Sequence, residues 1–142
     1  MKLKMTQEER MLLIKDLSAR LPYAVTVEHT SGFRGTLHDI TVYHMYDEND
    51  NVYDAICYTD FFGDEDSIYI EYFKPYLFPL SSMSEEKIEE LLDIVIPTNN
   101  GSGVIEESNI GKYMDWCYKN HFDYIGLIEK GLAIDATGLN IY

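Results

Sequence analysis

The chain has 142 residues and a net charge of −14, because 25 acidic residues outnumber 11 lysines and arginines. A chain of this length buries about 70 per cent of the surface of its unfolded state. Its hydrophobic content of 46 per cent is too high for a disordered protein. We therefore expect one domain over residues 1–142 that folds without a cofactor, a disulfide or a structural metal. The negative charge argues against a nucleic acid as partner.

The sequence indicates neither a membrane protein nor a metal-stabilised fold. No apolar run approaches the roughly 18 residues of a membrane span. Charged residues interrupt the N-terminal segment where a signal peptide would need an apolar core. Cys57 and Cys117 are far apart and lack the spacing of zinc ligands. We therefore expect a cytoplasmic protein with two unreactive thiols and no membrane contact.

The first element in the chain is a helix. Thr6 and Glu9 form the T-x-x-E pattern of a capping box, in which each side chain accepts a hydrogen bond from a backbone N–H at the helix start. Apolar residues then recur at helical spacing: Leu13, Ile14, Leu17 and Leu21. Because Pro22 disfavours helix at the residue before it, the pattern predicts a helix over residues 6–20.

Four segments alternate in the period of a β-strand and are separated by short polar turns: residues 23–29, 36–46, 52–59 and 67–73. Such short connections favour an antiparallel meander, which could close toward a small barrel. If Val25 and Val27 pair with Val42 and Ile40, the same register sets His29 opposite His38.

The segment after the fourth strand is the joint between the sheet and the C-terminal helices. Pro75 and Pro79 predict that residues 74–80 form neither a regular strand nor a helix, although the segment is apolar enough to pack on the core. Ser84, or Ser82 in a capping box with Glu85, begins a helix. The predicted buried face of this helix consists of Ile88, Leu91, Leu92 and Val95.

The last third of the chain predicts a flexible internal linker at 97–107 and one or two further helices. Ser108 caps the first of these, and Asn120 ends it in a left-handed conformation. Its apolar face is Ile110, Tyr113, Met114 and Cys117. Asp123 caps a short helix ending at Gly131, and residues 134–142 fit a strand, a tail or an arm equally well. The predicted fold class is α+β, with an N-terminal helix, a four-stranded antiparallel meander and two or three C-terminal helices.

Three segments resemble a group of small proteins encoded by gut Bacteroidetes and by their phages or integrated elements. These are DLSARLPY (residues 16–23), KPYLFPLSSMSEE (74–86) and NHFDYIGLIEKGLAIDA (120–136). They occur in this order from near one end of the chain to near the other. The resemblance implies a bacterial or phage cytoplasmic setting, but no activity is attached to the group. It therefore identifies no catalytic residue.

The sequence has only weak matches to the motifs of metal-binding and catalytic sites. The turn at 47–51 opens like a calcium loop but has Val52 where glycine is required, and a polar turn explains it equally well. Asp60, Asp64 and Asp66 could likewise bind a cation or simply be polar turn residues. A His29–His38 pair could hold a transition metal or sense pH, against the simpler interpretation of two half-exposed strand histidines. No nucleophile elbow or phosphate loop occurs. An enzyme is therefore the less favoured class.

Charge and tyrosine are concentrated in the sheet region. Between Glu28 and Phe73 the chain has eleven acidic residues, one basic residue (Arg34) and half of its twelve tyrosines. Tyrosine is enriched at protein interfaces. The predicted contact surface is Tyr43, Tyr46, Asp54, Tyr58, Asp64, Asp66 and Tyr69. The sequence thus predicts a non-enzymatic accessory protein that binds a basic protein.

Three alternatives to a contact surface for a basic protein are open. The acidic residues could imitate DNA and inhibit a DNA-binding protein, or they could serve only solubility. A small ligand-binding or enzymatic site could instead lie between the sheet and residues 74–80. Its predicted pocket residues are Lys74, Tyr76 and Phe78, with one strand histidine.

Overall fold

The computed structural model describes residues 5–46, 51–60, 68–95 and 109–142, without the side chains of residues 45, 46, 51, 52 and 95. These ranges contain three α-helices and five strands. In chain order they are α1 (Gln7–Arg20), β1 (Thr26–His29), β2 (Arg34–Tyr46), β3 (Asn51–Thr59), β4 (Phe73–Leu77), α2 (Glu85–Val95), α3 (Ile110–Lys119) and β5 (Ile134–Asp135).

The N-terminal helix α1 confirms the prediction closely. The Glu9 amide donates to the Thr6 hydroxyl at 3.1 Å, and the Thr6 amide donates to the Glu9 carboxylate at 3.0 Å, so both bonds of the capping box are present. Leu13 and Leu17 are 0% exposed and pack against the sheet. A local pattern was sufficient here because both ends of the helix are marked by neighbouring residues.

The five strands form one open, mixed sheet in the order β3-β2-β1-β4-β5. β1, β2 and β3 are antiparallel neighbours, but β4 pairs with β1 on the far side, and β5 runs parallel to β4. The α+β class and the N-terminal helix are therefore correct. The expectation of a four-stranded meander with a barrel-like shape is not matched, because the fourth strand joins the opposite edge of the sheet.

The predicted register of the first hairpin is wrong. Thr26 lies opposite Thr36 and Val27 opposite Gly35, so His29 is not across from His38 and instead pairs with Phe73 of β4. A β-bulge between Leu37 and Asp39 changes which residues of β2 face inward. The hairpin turn is also tighter than predicted, since the His29 amide donates to the Phe33 carbonyl at 2.7 Å and β2 begins at Arg34. Ile40 and Val42 therefore lie beyond the end of β1 and pair with β3.

The fourth strand lies several residues later than predicted. Residues Ile70–Tyr72 form a tight 3-10 turn, and β4 then runs through Pro75. The Thr30 amide donates to the Tyr72 carbonyl at 2.9 Å, and alternation from that bond places Pro75 opposite Val27, where antiparallel strands exchange no hydrogen bond. On the other side β5 begins only opposite Tyr76. The missing N–H of the proline therefore removes no sheet bond, and the expectation that residues 74–80 exclude a strand is wrong.

Helix α2 begins as predicted, since the Ser84 hydroxyl accepts the Lys87 amide at 3.2 Å. Its buried face is much narrower than predicted. Leu91 is buried, whereas Ile88 and Leu92 are each 43% exposed. The side chain of Val95, the fourth predicted member, is outside the description.

Helix α3 buries Trp116, Cys117 and Tyr118, while Ile110 is exposed. The predicted face was therefore only partly correct. Asn120 ends α3 with a φ of −98°, and the left-handed residue is His121, with a φ of 63°. The predicted cap Ser108 and the predicted linker at 97–107 lie outside the described residues.

After α3 the chain makes turns rather than the predicted short helix. Both oxygens of Asp123 accept backbone amides, from Leu127 at 2.8 Å and from Ile128 at 2.9 Å, so this side chain holds a turn and does not cap the predicted helix. The tail contains the short strand β5, which settles one of the three alternatives for its first residues. Among the described helices, none is both long and apolar enough to cross a bilayer.

Candidate functional site

The sheet has one face covered by α1 and one outer face. Val25 and Val27 point inward and are 0% exposed, so their neighbours Thr26 and Glu28 point outward. On β2 the bulge changes the alternation, which places Asp39 and Tyr43 on the outer face. Their partners across β3 must lie on that same face, because directly opposed strand residues share a side.

Four predicted contact residues come together on this outer face. Tyr43 lies opposite Asp54, Tyr58 lies opposite Asp39, and Tyr69 is bridged to Ile56 of β3. The exposed fractions are 42% for Tyr43, 45% for Tyr58 and 37% for Tyr69. We call these three side chains the tyrosine zone. The side chain of Tyr46, together with Asp64 and Asp66, lies outside the described residues.

The acidic side chains around the tyrosine zone are held in place by hydrogen bonds. Asp39 accepts the Ile40 amide at 2.8 Å, and Asp60 accepts the Thr36 amide at 3.0 Å. Asp54 accepts the Ala55 amide at 2.8 Å and lies 3.7 Å from the guanidinium of Arg10. Asp39 and Asp60 are exposed, whereas the Asp54 side chain is only 15% exposed and is paired with Arg10, so the zone combines large aromatic area with two exposed acids of defined position.

The other end of the outer face carries charges of both signs. Arg34, Glu28 and Lys74 form a row across β2, β1 and β4. The Tyr76 hydroxyl donates to Glu28 at 2.8 Å and accepts a bond from Arg34 at 3.2 Å, and the guanidinium carbon lies 4.9 Å from the centre of the Tyr76 ring. Burial, reinforced by the Glu28 carboxylate, raises the pKa of Tyr76. The Tyr76 hydroxyl of β4 is thus protonated and links Glu28 of β1 to Arg34 of β2.

A groove of about 500 Å³ lies beside this row. It is lined by Glu28, His29, Thr30, Gly32, Tyr72, Lys74 and Ile134. Lys74 and His29 line this groove, whereas the histidines expected beside Lys74 were His38 or His44. Tyr76 and Phe78 are not among its lining residues. Phe78 instead contacts the Phe122 ring, with ring centres 6.1 Å apart, in a separate hydrophobic cluster.

The candidate histidine metal site does not form as predicted. His29 pairs with Phe73, and its Nδ1 lies 2.6 Å from the Ser31 hydroxyl and accepts the Ser31 amide at 3.0 Å. His38 lies at the bulge of β2. Across the described ranges, no group of three histidine, cysteine or acidic side chains is arranged to hold a metal ion.

One buried charged cluster was missed by sequence reasoning. Arg20 donates two hydrogen bonds to Asp16, at 2.7 and 3.1 Å, and a third to the carbonyl of Phe122 at 2.7 Å. Both charged residues are 0% exposed, and burial raises the pKa of Asp16 despite its partner. The four-residue spacing could have indicated the ion pair, but it carries no information on the burial.

The fold and the outer face together define a small α+β protein with an open mixed sheet and an accessible aromatic and acidic surface. No protein-family model, curated protein sequence or solved structure matches the chain significantly.

Proposed function

We propose that this is a non-enzymatic interaction protein of bacterial or phage origin that binds a basic protein in the cytoplasm through the tyrosine zone. The observation that carries the proposal is the alignment of Tyr43, Tyr58 and Tyr69 on one outer face, between carboxylates of fixed position. Tyrosine contributes contact area and a hydroxyl at little conformational cost, and the carboxylates would select for lysine and arginine.

The state of the reactive side chains also favours binding over catalysis. Burial raises the pKa of the Cys57 thiol to about 12, and burial raises that of Cys117 as well. Both thiols are therefore protonated, which makes them poor nucleophiles. Ser84 caps α2, and the Ser82 hydroxyl donates to the Pro79 carbonyl. These groups have structural roles in the described chain.

The test is to capture a partner from a bacterial lysate on the immobilised protein and to measure the dissociation constant with the purified partner. Replacing Tyr43 and Tyr58 by serine should weaken binding at least tenfold, because interface tyrosines often contribute more than about 1 kcal/mol each. Ile110→Ser is a matched control, since Ile110 is 44% exposed on a different element. Its affinity should be unchanged.

Salt provides a second measurement on the same complex. Raising the ionic strength from about 0.1 M to 1 M shortens the Debye length from about 10 to 3 Å. A complex with a basic partner should therefore form more slowly and bind more weakly at high salt. A partner of acidic composition, or equal affinity of the double variant and the wild type, would overturn the proposal. The DNA-mimic alternative stays a prediction, because six of the eleven acidic residues of this segment lie outside the described ranges.

The groove beside Lys74 supports a second candidate, a site for a small anionic ligand. The Lys74 ammonium and the histidine of β1 border about 500 Å³ of open volume, which is within the usual range of ligand sites. Chemical shifts of the groove amides should then move on addition of small carboxylates, and Lys74→Met should abolish the change. Movement that is identical in the variant would remove this candidate.

A further inference from the structure

Helix α2 exposes apolar side chains on one particular flank. Leu91 is only 8% exposed and packs with Trp116, Cys117 and Phe122. Ile88 and Leu92, which precede and follow it on one side of the helix, are each 43% exposed. They are four residues apart and so lie one turn above the other. We call this pair the α2 seam.

Helix α3 occupies the opposite flank of α2. The Lys87 ammonium donates to Asn120 at 3.0 Å, and the Trp116 indole donates to Glu90 at 3.1 Å. Viewed down the helix axis, Lys87 and Glu90 lie on one side of Leu91, whereas Ile88 and Leu92 lie on the other. The contacts with α3 therefore leave the α2 seam accessible.

The surroundings of the α2 seam are strongly acidic. Glu85, Glu89 and Asp93 are exposed on the side of the seam that faces away from α3, whereas Glu90 and the single lysine of the helix lie on the α3 flank. Lys87 already contacts Asn120 and lies 3.5 Å from Glu90. A second copy of the chain would bring two acidic rims together, which like-charge repulsion disfavours.

We propose that the α2 seam docks a basic amphipathic helix of a partner protein, with apolar residues against Ile88 and Leu92 and lysines or arginines against the acidic rim. Helices recognise each other in this way through side chains one turn apart, with flanking charges selecting the partner. The inference is separate from the tyrosine zone, which lies on the sheet, and it adds a second contact surface of defined geometry.

Synthetic peptides test the inference on the full chain. The probe is an amphipathic helix with leucines along one stripe and lysines beside it, compared with a scrambled peptide of the same composition and with a glutamate version of the helix. Fluorescence anisotropy should show that the lysine helix binds at least tenfold more tightly than the scrambled peptide. The glutamate helix should not bind, and amide shifts should map the contact to α2. Equal binding of the helical and scrambled basic peptides would overturn the proposal.

Variants distinguish docking from general charge attraction. Replacing Ile88 and Leu92 by glutamate adds negative charge but removes the apolar contact, so docking predicts at least a tenfold loss of affinity, whereas charge attraction alone predicts tighter binding. Ile94→Glu is the matched control, because Ile94 is 39% exposed and lies on the flank nearer α3. It should retain the affinity.

Sedimentation and the melting temperature of the unliganded protein test whether something other than a partner helix covers the α2 seam. Sedimentation that shows a dimer of the wild-type chain, lost in the double variant, would identify a second copy as the occupant and overturn the proposal. A large drop in the melting temperature of the unliganded double variant would do the same, because it would mean that the chain itself covers the seam. Serine variants of Tyr43 and Tyr58 should leave peptide binding unchanged, which separates this result from the tyrosine-zone test.

Discussion

α1 and α2 are both capped helices, yet the structure buries one and leaves the other mostly exposed. α1 has the less amphipathic sequence of the two, but it buries Leu13, Leu17 and even the charged pair Asp16–Arg20. α2 has the stronger apolar stripe, but buries Leu91 alone among its described apolar residues. The buried helix is the one with long-range polar links to other elements, so the strength of the apolar stripe alone does not determine burial here.

Those links are long-range and hold α1 at both ends. Near its start, Gln7 donates to the Tyr53 carbonyl of β3 at 3.1 Å, and Arg10 donates to Glu71 at 3.0 Å. At its end, Arg20 bonds to the Phe122 carbonyl, which is 102 residues away in sequence. α2, by contrast, has Lys87 and Glu90 as its described links to α3.

The largest expected effect comes from breaking the end of α1. Arg20→Met leaves the buried Asp16 without its charged partner, which should lower the free energy of unfolding by about 3–5 kcal/mol. Urea denaturation measures this loss. The control Lys15→Met alters an exposed position of the same helix and should change stability by less than about 0.5 kcal/mol.

The double variant Asp16→Leu with Arg20→Met tests whether the loss of stability comes from the unpaired buried Asp16. Removing both charges leaves no isolated buried ion, so much of the stability lost in the single variant should return. A loss below 1 kcal/mol in Arg20→Met would instead mean that the apolar stripe alone holds α1, and the contrast between the two helices would fail.

Two adjacent leucines test α2 in the same way. Leu91→Ala removes a buried side chain and should cost about 2–5 kcal/mol, whereas Leu92→Ala next to it should cost under about 0.5 kcal/mol. Thermal unfolding of both variants gives the comparison directly. Similar losses at the two positions would show that the exposed flank of α2 is covered in solution.

The elements that sequence reasoning placed correctly are those with local signals. Thr6, Glu9 and Pro22 bracket α1, and strict alternation identified β3 to within a residue. The tyrosine zone was also partly foreseeable, because the period of a strand sets which residues share a face.

The elements that sequence reasoning misplaced depend on contacts with residues that are distant in sequence. Pro75 is acceptable in β4 only because Val27 and β5 happen to need no hydrogen bond from it. The bulge beside His38 is likewise set by how β2 fits two neighbouring strands. The hydrogen bond from Arg34 to Tyr76 was not predictable either, since the strand that carries Tyr76 was itself misplaced.

A moderate effect is expected where the tail meets the sheet. The Tyr142 hydroxyl accepts the Thr26 amide at 3.0 Å and donates to the Tyr76 carbonyl at 2.7 Å, and so closes the end of the β1–β4 pairing. Its pKa is raised to about 12 by burial, which keeps the donor proton in place. Tyr142→Phe removes two hydrogen bonds, each of which contributes about 0.5–1.5 kcal/mol, and should therefore cost about 1–3 kcal/mol.

The matched control for this variant is Tyr43→Phe, which removes a hydroxyl from an exposed tyrosine of the sheet. Thermal unfolding should place it within about 0.5 kcal/mol of the wild type. Equal melting temperatures for the two variants would show that the Tyr142 hydroxyl does not stabilise the sheet.

An effect confined to acid pH is expected at His121, beside the Phe122 carbonyl that binds Arg20 of α1. His121 stacks on Tyr142 with ring centres 3.5 Å apart, and its Nδ1 is buried without a hydrogen-bond partner among the described residues. Burial, with a smaller contribution from the Arg20 cation, lowers the pKa of His121 to about 4. The unfolded chain takes up this proton near pH 6.5. The contribution of His121 is therefore complete above pH 6.5 and is lost as the pH falls toward 4.

The variant His121→Asn isolates this contribution, because asparagine tolerates the left-handed backbone at this position and does not titrate. Asp16 acts in the opposite direction, since its raised pKa favours the folded state as the pH falls, and it is unchanged in the variant. The melting temperature of the variant should therefore decline less than that of the wild type between pH 6.5 and 4. Parallel curves would assign the acid sensitivity of this region to groups other than His121, and would leave the Arg20 ion pair as the link that distinguishes α1 from α2.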